Sequence, residues 1–189
     1  MNSKGINDIF LVDNFNDGRK FNNINDLYLR DVIQKEKLIE NNYLDNIKRE
    51  IKYIIHLGAC SSTQEMDGKY LLENNYEYSK TLLDFAIENK IDFLYASSAS
   101  VYGLGENGFK ESLKDLKPIN PYAFSKKIFD DYVIRKFESS SFSSNIKGLR
   151  FFNVYGPGEN LKFNMSSPIY KFFNQINEKG YCNLFSSYG

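Results

Sequence analysis

Ile9-Phe10-Leu11-Val12 is a short, unbroken apolar run that ends at Asp13-Asn14. A run this short, without alternation, predicts a strand buried on both faces, as in a parallel sheet. Tyr53-Ile54-Ile55-His56-Leu57 is a second such run and closes on Gly58-Ala59-Cys60-Ser61-Ser62. Phe93 to Ala96 makes a third, and Ile146 to Phe151 a fourth. Between these runs the period changes. Over 69–89, Leu71, Leu72, Tyr76, Tyr78, Leu82, Leu83 and Ala86 recur on roughly one side of a predicted helix. Residues 122–137 predict another, with Ile128, Phe129, Tyr132 and Val133 facing inward, and a further helix falls near 165–178. Residues 24–50 give only mixed helical and loop patterns. Strands alternating with helices imply an α/β fold with a doubly wound parallel sheet.

In such sheets ligands bind beyond the carboxyl ends of the strands. Asp13-Asn14, Gly58 to Ser61, Ser97-Ser98 and Asn153 all fall at predicted strand ends. The third strand runs into Ser97-Ser98-Ala99-Ser100-Val101-Tyr102-Gly103, and Pro121-Tyr122-Ala123-Phe124-Ser125-Lys126 opens the next helix. Together these segments supply a hydroxyl, a phenol and an ammonium, the parts of a proton-transfer site for oxidising an alcohol. Tyr122 and Lys126 are four apart, hence neighbours on one helix face. A free phenol has pKa ~10 and is a poor base near neutrality. A nearby cation favours the phenolate, and Ser98 can hold a substrate oxygen against it. The same spacing recurs at Tyr76/Lys80 and Tyr132/Lys136, which read as solvated helix surface. What separates Tyr122 is the strand ending in hydroxyl residues and the proline that opens its helix.

Composition narrows the classes. The chain has 189 residues, 42% of them hydrophobic, with 24 basic and 24 acidic side chains, so a core is possible and no basic surface points to nucleic acid. No apolar run approaches the ~20 residues of a membrane span. The N-terminal residues carry no apolar signal stretch. Cys60 and Cys182 make a poor disulfide framework, and a reducing, cytoplasmic location is expected. His56, the single histidine, reads as a core residue, and no cluster has metal-binding spacing. Cys60 reads as a small packing residue near a nucleotide.

Ser98-Ala99-Ser100-Val101-Tyr102-Gly103, Tyr122-x-x-x-Lys126 and Phe152-Asn153-Val154-Tyr155-Gly156-Pro157 closely resemble the landmarks of the extended short-chain dehydrogenase/reductases. Several further stretches narrow the resemblance to the ADP-glyceromanno-heptose 6-epimerase family. They are Val12-Asp13-Asn14, Asp17-Gly18-Arg19-Lys20-Phe21, Gly58-Ala59-Cys60-Ser61-Ser62-Thr63, Asp67-Gly68-Lys69-Tyr70 and Asn74-Asn75-Tyr76. The resemblance implies epimerisation of ADP-D-glycero-β-D-manno-heptose to the L-glycero form, by oxidation and re-reduction at C6, for the lipopolysaccharide core. It implies Tyr122 as catalytic acid/base, Lys126 as its tuner and ribose ligand, Ser98 as sugar-orienting residue and Lys162 as a second acid/base. For the cofactor it implies Asp13, Asn14, Lys20, Lys35, Leu57, Gly58, Ala59, Cys60, Ser61, Asn74 and Val154, with Lys126. For the substrate it implies Asn153, Asn164, Lys171 and Phe185, with Ser98. NADP is the implied cofactor and a homo-oligomer the implied assembly. The residues alone leave NAD open: Asp13 at a strand end suits a ribose hydroxyl, while Lys20 and Lys35 could meet a 2′-phosphate.

The family opens with a strand and a Gly-x-x-Gly-x-x-Gly turn that holds the pyrophosphate, and residues 1–189 contain neither. The expectation is a Rossmann-like sheet without its first, central strand. In the order 3-2-1-4-5-6 that strand lies between Ile9–Val12 and Tyr53–Leu57, so the sheet should split there. Residues 1–157 are expected to form a partial NAD(P)-binding domain, and 158–189 the beginning of a truncated substrate-binding region. Leu57 replaces an acidic residue of the family, and Lys171 a histidine. A 4-epimerase or dehydratase acting on another nucleotide sugar, or a non-catalytic remnant, are the alternatives.

Overall fold

The computed structural model describes residues 1–159, 162 and 166–184. They form two compact units, one of 1–40 with the segment from 153 onward, the other of 41–152. In the first unit, β1 (Phe10–Asp13) pairs in parallel with β2 (Asp31–Gln34), Phe10 opposite Asp31 and Asp13 opposite Gln34. The short helix α1 (Lys35–Ile39) follows β2 directly. The second unit begins with α2 (Tyr43–Ile47) and holds a three-stranded parallel sheet, in the order β3 (Tyr53–His56), β4 (Asp92–Ser98), β5 (Ile146–Phe151). Each of β1 and β3 has one hydrogen-bonded neighbour among the described residues.

The predicted helix over 69–89 is three pieces: α3 (Gly68–Leu71), a π-helical turn (Leu72–Glu77) and α4 (Tyr78–Glu88). Asp67 caps its start by accepting from the Tyr70 N–H. The π turn adds a residue to the helical count and rotates the buried face. Leu72, expected inside, is exposed, and Asn75 is fully buried in its place. Helix α5 (Pro121–Ser139) starts at Asn120, whose side chain accepts from the Ala123 N–H, with Pro121 in the first turn. Helix α6 (Pro168–Lys179) is capped by Ser167 and closed by left-handed Gly180.

Phe93, Tyr95 and Ser97 of β4 are buried, and Leu94, Ala96 and Ser98 between them only half so. The buried side is where α4 and α5 lie. Ser79 of α4 bonds His56, and Asp130 of α5 bonds Tyr95 and Ser97. Phe129 meets Tyr95 edge to face, with ring centroids 4.9 Å apart. On the opposite face Tyr53, Ile55, Leu149 and Phe151 are exposed. The expectation of strands buried on both faces therefore fails for β3 and β5: both helices cover the same side. No helix among the described residues is long and apolar enough to cross a membrane.

Candidate active site

Ser98 is the last residue of β4, paired with Phe151, where the strand turns into the 3₁₀ segment Ala99–Tyr102. Its hydroxyl accepts from the Ser100 N–H at 3.2 Å and lies 2.8 Å from the Ser100 hydroxyl. It lies near the Tyr122 phenol and favours its ionised form. Tyr122 and Lys126 lie one turn apart on the buried face of α5. The Lys126 ammonium donates to the Ala96 carbonyl at 2.9 Å. The three predicted catalytic groups of this unit are thus gathered at the carboxyl end of β4.

Their electrostatics differ from the simplest expectation. Burial pushes the Tyr122 phenol above its ordinary value, and the influence of Ser98 only partly offsets this. Lys126 is aimed at a strand carbonyl. Burial brings Lys126 itself down to about 8, against the opposing pull of Asp130. Lys126 is poised near neutrality while Tyr122 rests as a phenol.

The loop after β3 carries Leu57, Gly58, Ala59, Cys60 and Ser61, mostly solvent-accessible. It is fastened by Asn75. The Asn75 Oδ1 accepts from the Cys60 N–H at 2.8 Å, and its Nδ2 donates to the Cys60 carbonyl and the Ser125 hydroxyl. The Asn75 carbonyl accepts from Ser79, which reaches His56. His56 is a buried core histidine, held neutral by desolvation, with its pKa down to about 4. Asn74 is half-buried and donates to the Tyr70 carbonyl.

In the other unit, Lys20 bridges Asp13 Oδ1 at 2.6 Å and Asn14 Oδ1 at 2.8 Å. Burial opposes ionisation of Asp13, but the bonds from Lys20 and the Phe15 N–H prevail and hold its carboxyl below the usual range. Lys35 opens α1, 3.7 Å from Glu36. Asn153 and Val154 are exposed after β5. Lys162 lies 3.8 Å from the buried Glu159, and Lys171 is on the exposed side of α6. Asn164 and Phe185 lie outside the described residues.

Sequence reading gave no role to Asn75, Asp130 or Arg150, although Asn75 lies in the family-like stretch Asn74-Asn75-Tyr76. Asp130 is buried and accepts from the Tyr95 hydroxyl at 3.0 Å and the Ser97 hydroxyl at 2.9 Å. Arg150 donates to it at 3.3 Å and reaches the Ser112 carbonyl at 2.9 Å.

The model of the NAD dependent epimerase/dehydratase family matches residues 1–188. ADP-L-glycero-D-manno-heptose-6-epimerase of Brachyspira hyodysenteriae is 48% identical over 178 residues, covering 93% of this chain and 56% of that protein. Among solved structures, the enzyme of the same name from Helicobacter pylori superposes with a TM-score of 0.77 at 27% identity, over 95% of this chain and 56% of that one. UDP-N-acetylglucosamine 4-epimerase of Methanobrevibacter ruminantium, in complex with UDP-N-acetylmuramic acid, gives 0.76 at 28%, over 95% and 58%. The chain thus spans somewhat more than half the length of these relatives.

Proposed function

Because the chain belongs to the NAD dependent epimerase/dehydratase family, we propose that it carries the proton-transfer centre of an ADP-heptose 6-epimerase. The substrate is ADP-D-glycero-β-D-manno-heptose, the product its L-glycero epimer, and the pathway lipopolysaccharide core synthesis. The carrying observation is the gathering of Ser98, Tyr122 and Lys126 at the carboxyl end of β4, with Tyr122 and Lys126 buried one turn apart on α5 and Lys126 bonded to the Ala96 carbonyl. The 48% identical relative supports the choice of substrate.

Each unit by itself carries groups that suit one end of a dinucleotide cofactor. Tyr122, Lys126 and the loop 57–61 suit the nicotinamide and its ribose, and a Cβ at Gly58 would meet nothing within 4 Å, so a ligand can approach the backbone there. Asp13, Asn14 and Lys20 suit the adenosine ribose. With Asp13 already neutralised by Lys20, a 2′-phosphate meets no bare carboxylate, which favours NADP. When bound, the nicotinamide accepts and returns the hydride. Tyr122 takes the proton of the C6 hydroxyl as base and gives it back as acid. Its buried phenol is suited to the acid role as it stands, and the base role requires the charge of Lys126 beside it. Ser98 fixes the oxygen. Lys162 is the proposed second acid/base for the opposite face, and the active assembly a homo-oligomer.

The test incubates the chain with NADP and ADP-D-glycero-β-D-manno-heptose and follows the C6 epimers by proton NMR. Epimerisation that disappears in Tyr122→Phe is the expected result. Turnover of UDP-N-acetylglucosamine at C4 instead would assign the chain to the 4-epimerase reading that the second structural relative favours.

A further inference from the structure

We propose that Asp130 is a positioning residue for this centre, the counter-ion that ties the Lys126 ammonium and the carboxyl end of β4 to helix α5. Its role in turnover rests on the epimerase reading, but its physical effect on Lys126 does not.

Tyr122, Lys126 and Asp130 recur every four residues and form one buried stripe of α5. Three consecutive residues of β4 are gripped by that stripe. Tyr95 and Ser97 donate to the Asp130 carboxylate, and Ala96 between them accepts from Lys126. Ser98, the next residue, is the one that lies near the Tyr122 phenol. The position of Ser98 relative to the phenol is therefore fixed by side-chain bonds on the three residues before it.

A buried carboxylate with this many donors is a charge the fold has retained at a cost, since a neutral residue of the same shape would avoid desolvation. Desolvation does raise the Asp130 carboxyl above its ordinary value, and the bonds from Ser97, Tyr95 and Arg150 work against that rise. The groups around Lys126 explain the retention. His56 on β3 is neutral where Lys126 titrates, and the Lys126 charge helps to keep it so. On the same helix Tyr122 is an uncharged phenol. The Asp130 charge favours the ammonium against burial. Arg150 on β5 donates to Asp130, to the Lys110 and Ser112 carbonyls and to the Tyr102 hydroxyl. Asp130 thus pairs directly with Arg150 and favours the charge of Lys126 one turn before it on α5.

The experiment follows the 13Cε shift of Lys126 with pH in the unliganded chain labelled with 13C-lysine, the signal assigned by its loss in Lys126→Arg. In the unsubstituted chain the midpoint is expected near the depressed value of about 8. In Asp130→Asn, isosteric but uncharged, it should fall by about one pH unit or more, the range of a close opposite charge. A purely structural role would leave it in place, and an unchanged midpoint in folded Asp130→Asn overturns the proposal. Should that variant not fold, the 13Cγ signal of Asp130 in the unsubstituted chain decides. A second inflection at the Lys126 midpoint supports the coupling, and its absence refutes it. Neither readout uses sugar nucleotide or turnover, so a failure of the epimerase assay leaves this result standing.

Discussion

Asn75 holds Cys60 by both of its backbone groups, accepting from the N–H at 2.8 Å and donating to the carbonyl at 2.9 Å. A side-chain amide carries both the donor and the acceptor needed to satisfy a peptide in this reciprocal way, with no charge to bury. The π-helical turn brings it inward, so a local irregularity of the helix is what fastens the loop 57–61 beside Ser125.

Asn75→Leu should therefore destabilise the chain by about 2–4 kcal/mol, because it strands the Cys60 N–H and carbonyl and removes the partner of Ser125. Asn75→Asp keeps the acceptor but loses the donor and buries a charge, and should cost at least as much. Urea unfolding midpoints give the comparison. A change below ~0.5 kcal/mol in either variant would show that the loop is held by other means.

His56 gives a pH dependence of definite sign. Its folded pKa of about 4 lies below the ordinary 6.5, so the unfolded chain binds the extra proton first. Stability is full above about pH 6.5, is lost as pH falls from there, and the loss levels off near pH 4. The decrement is of order 3 kcal/mol. His56→Gln should flatten this stretch of the stability-versus-pH curve relative to the unsubstituted chain. Parallel curves from pH 7 to 4 would sink the assignment.

Gly148 lies opposite Tyr95, where a Cβ would run into the Tyr95 phenol. Gly148→Ala must displace the ring that bonds Asp130 and is expected to cost about 1–3 kcal/mol. Chemical denaturation measures it. Tyr95→Phe, which keeps the ring and loses only the hydroxyl, should cost less.

Lys20→Ala bears on cofactor choice. It removes the cation from Asp13 and exposes a bare carboxylate to any 2′-phosphate. The ratio of NADP to NAD affinity should drop by about tenfold or more, equivalent to ~1.4 kcal/mol, by competitive fluorescence titration. A ratio that stays constant would separate Lys20 from the phosphate.

The strands β1, β3, β4 and β5 and the helices α5 and α6 were legible because apolar runs and helical periods survive in this Asn- and Lys-rich chain. β2 was not: Asp31-Val32-Ile33-Gln34 has two apolar residues between polar neighbours and becomes a strand through pairing with β1. The π turn was invisible because it buries Asn75, a polar residue that no hydrophobic count places inside. The Ser98, Tyr122 and Lys126 set was legible as chemistry, since few other functions need those groups at that spacing. Asp130 was not, because a charge on a helix reads as surface until the strand hydroxyls facing it are known. The repeats at Tyr76/Lys80 and Tyr132/Lys136 are more than solvated surface. Lys80 lies 4.8 Å from the Tyr76 ring and 5.3 Å from Tyr132, and Asp84 joins Tyr132 and Lys136 between α4 and α5.

Helix α6 has caps at both ends and not one buried side chain, with Ile169, Phe173 and Ile176 exposed. Twelve residues are marginal for a helix that relies on its own backbone bonds. Its opening should therefore require little of the free energy that protects α5. A protease specific for aromatic residues, used sparingly on the native chain, will cut first at Phe172 or Phe173 and leave the Tyr122 region whole. The earliest fragment seen by mass spectrometry should end there, and the amides of 168–179 should exchange with deuterium long before those of 121–139.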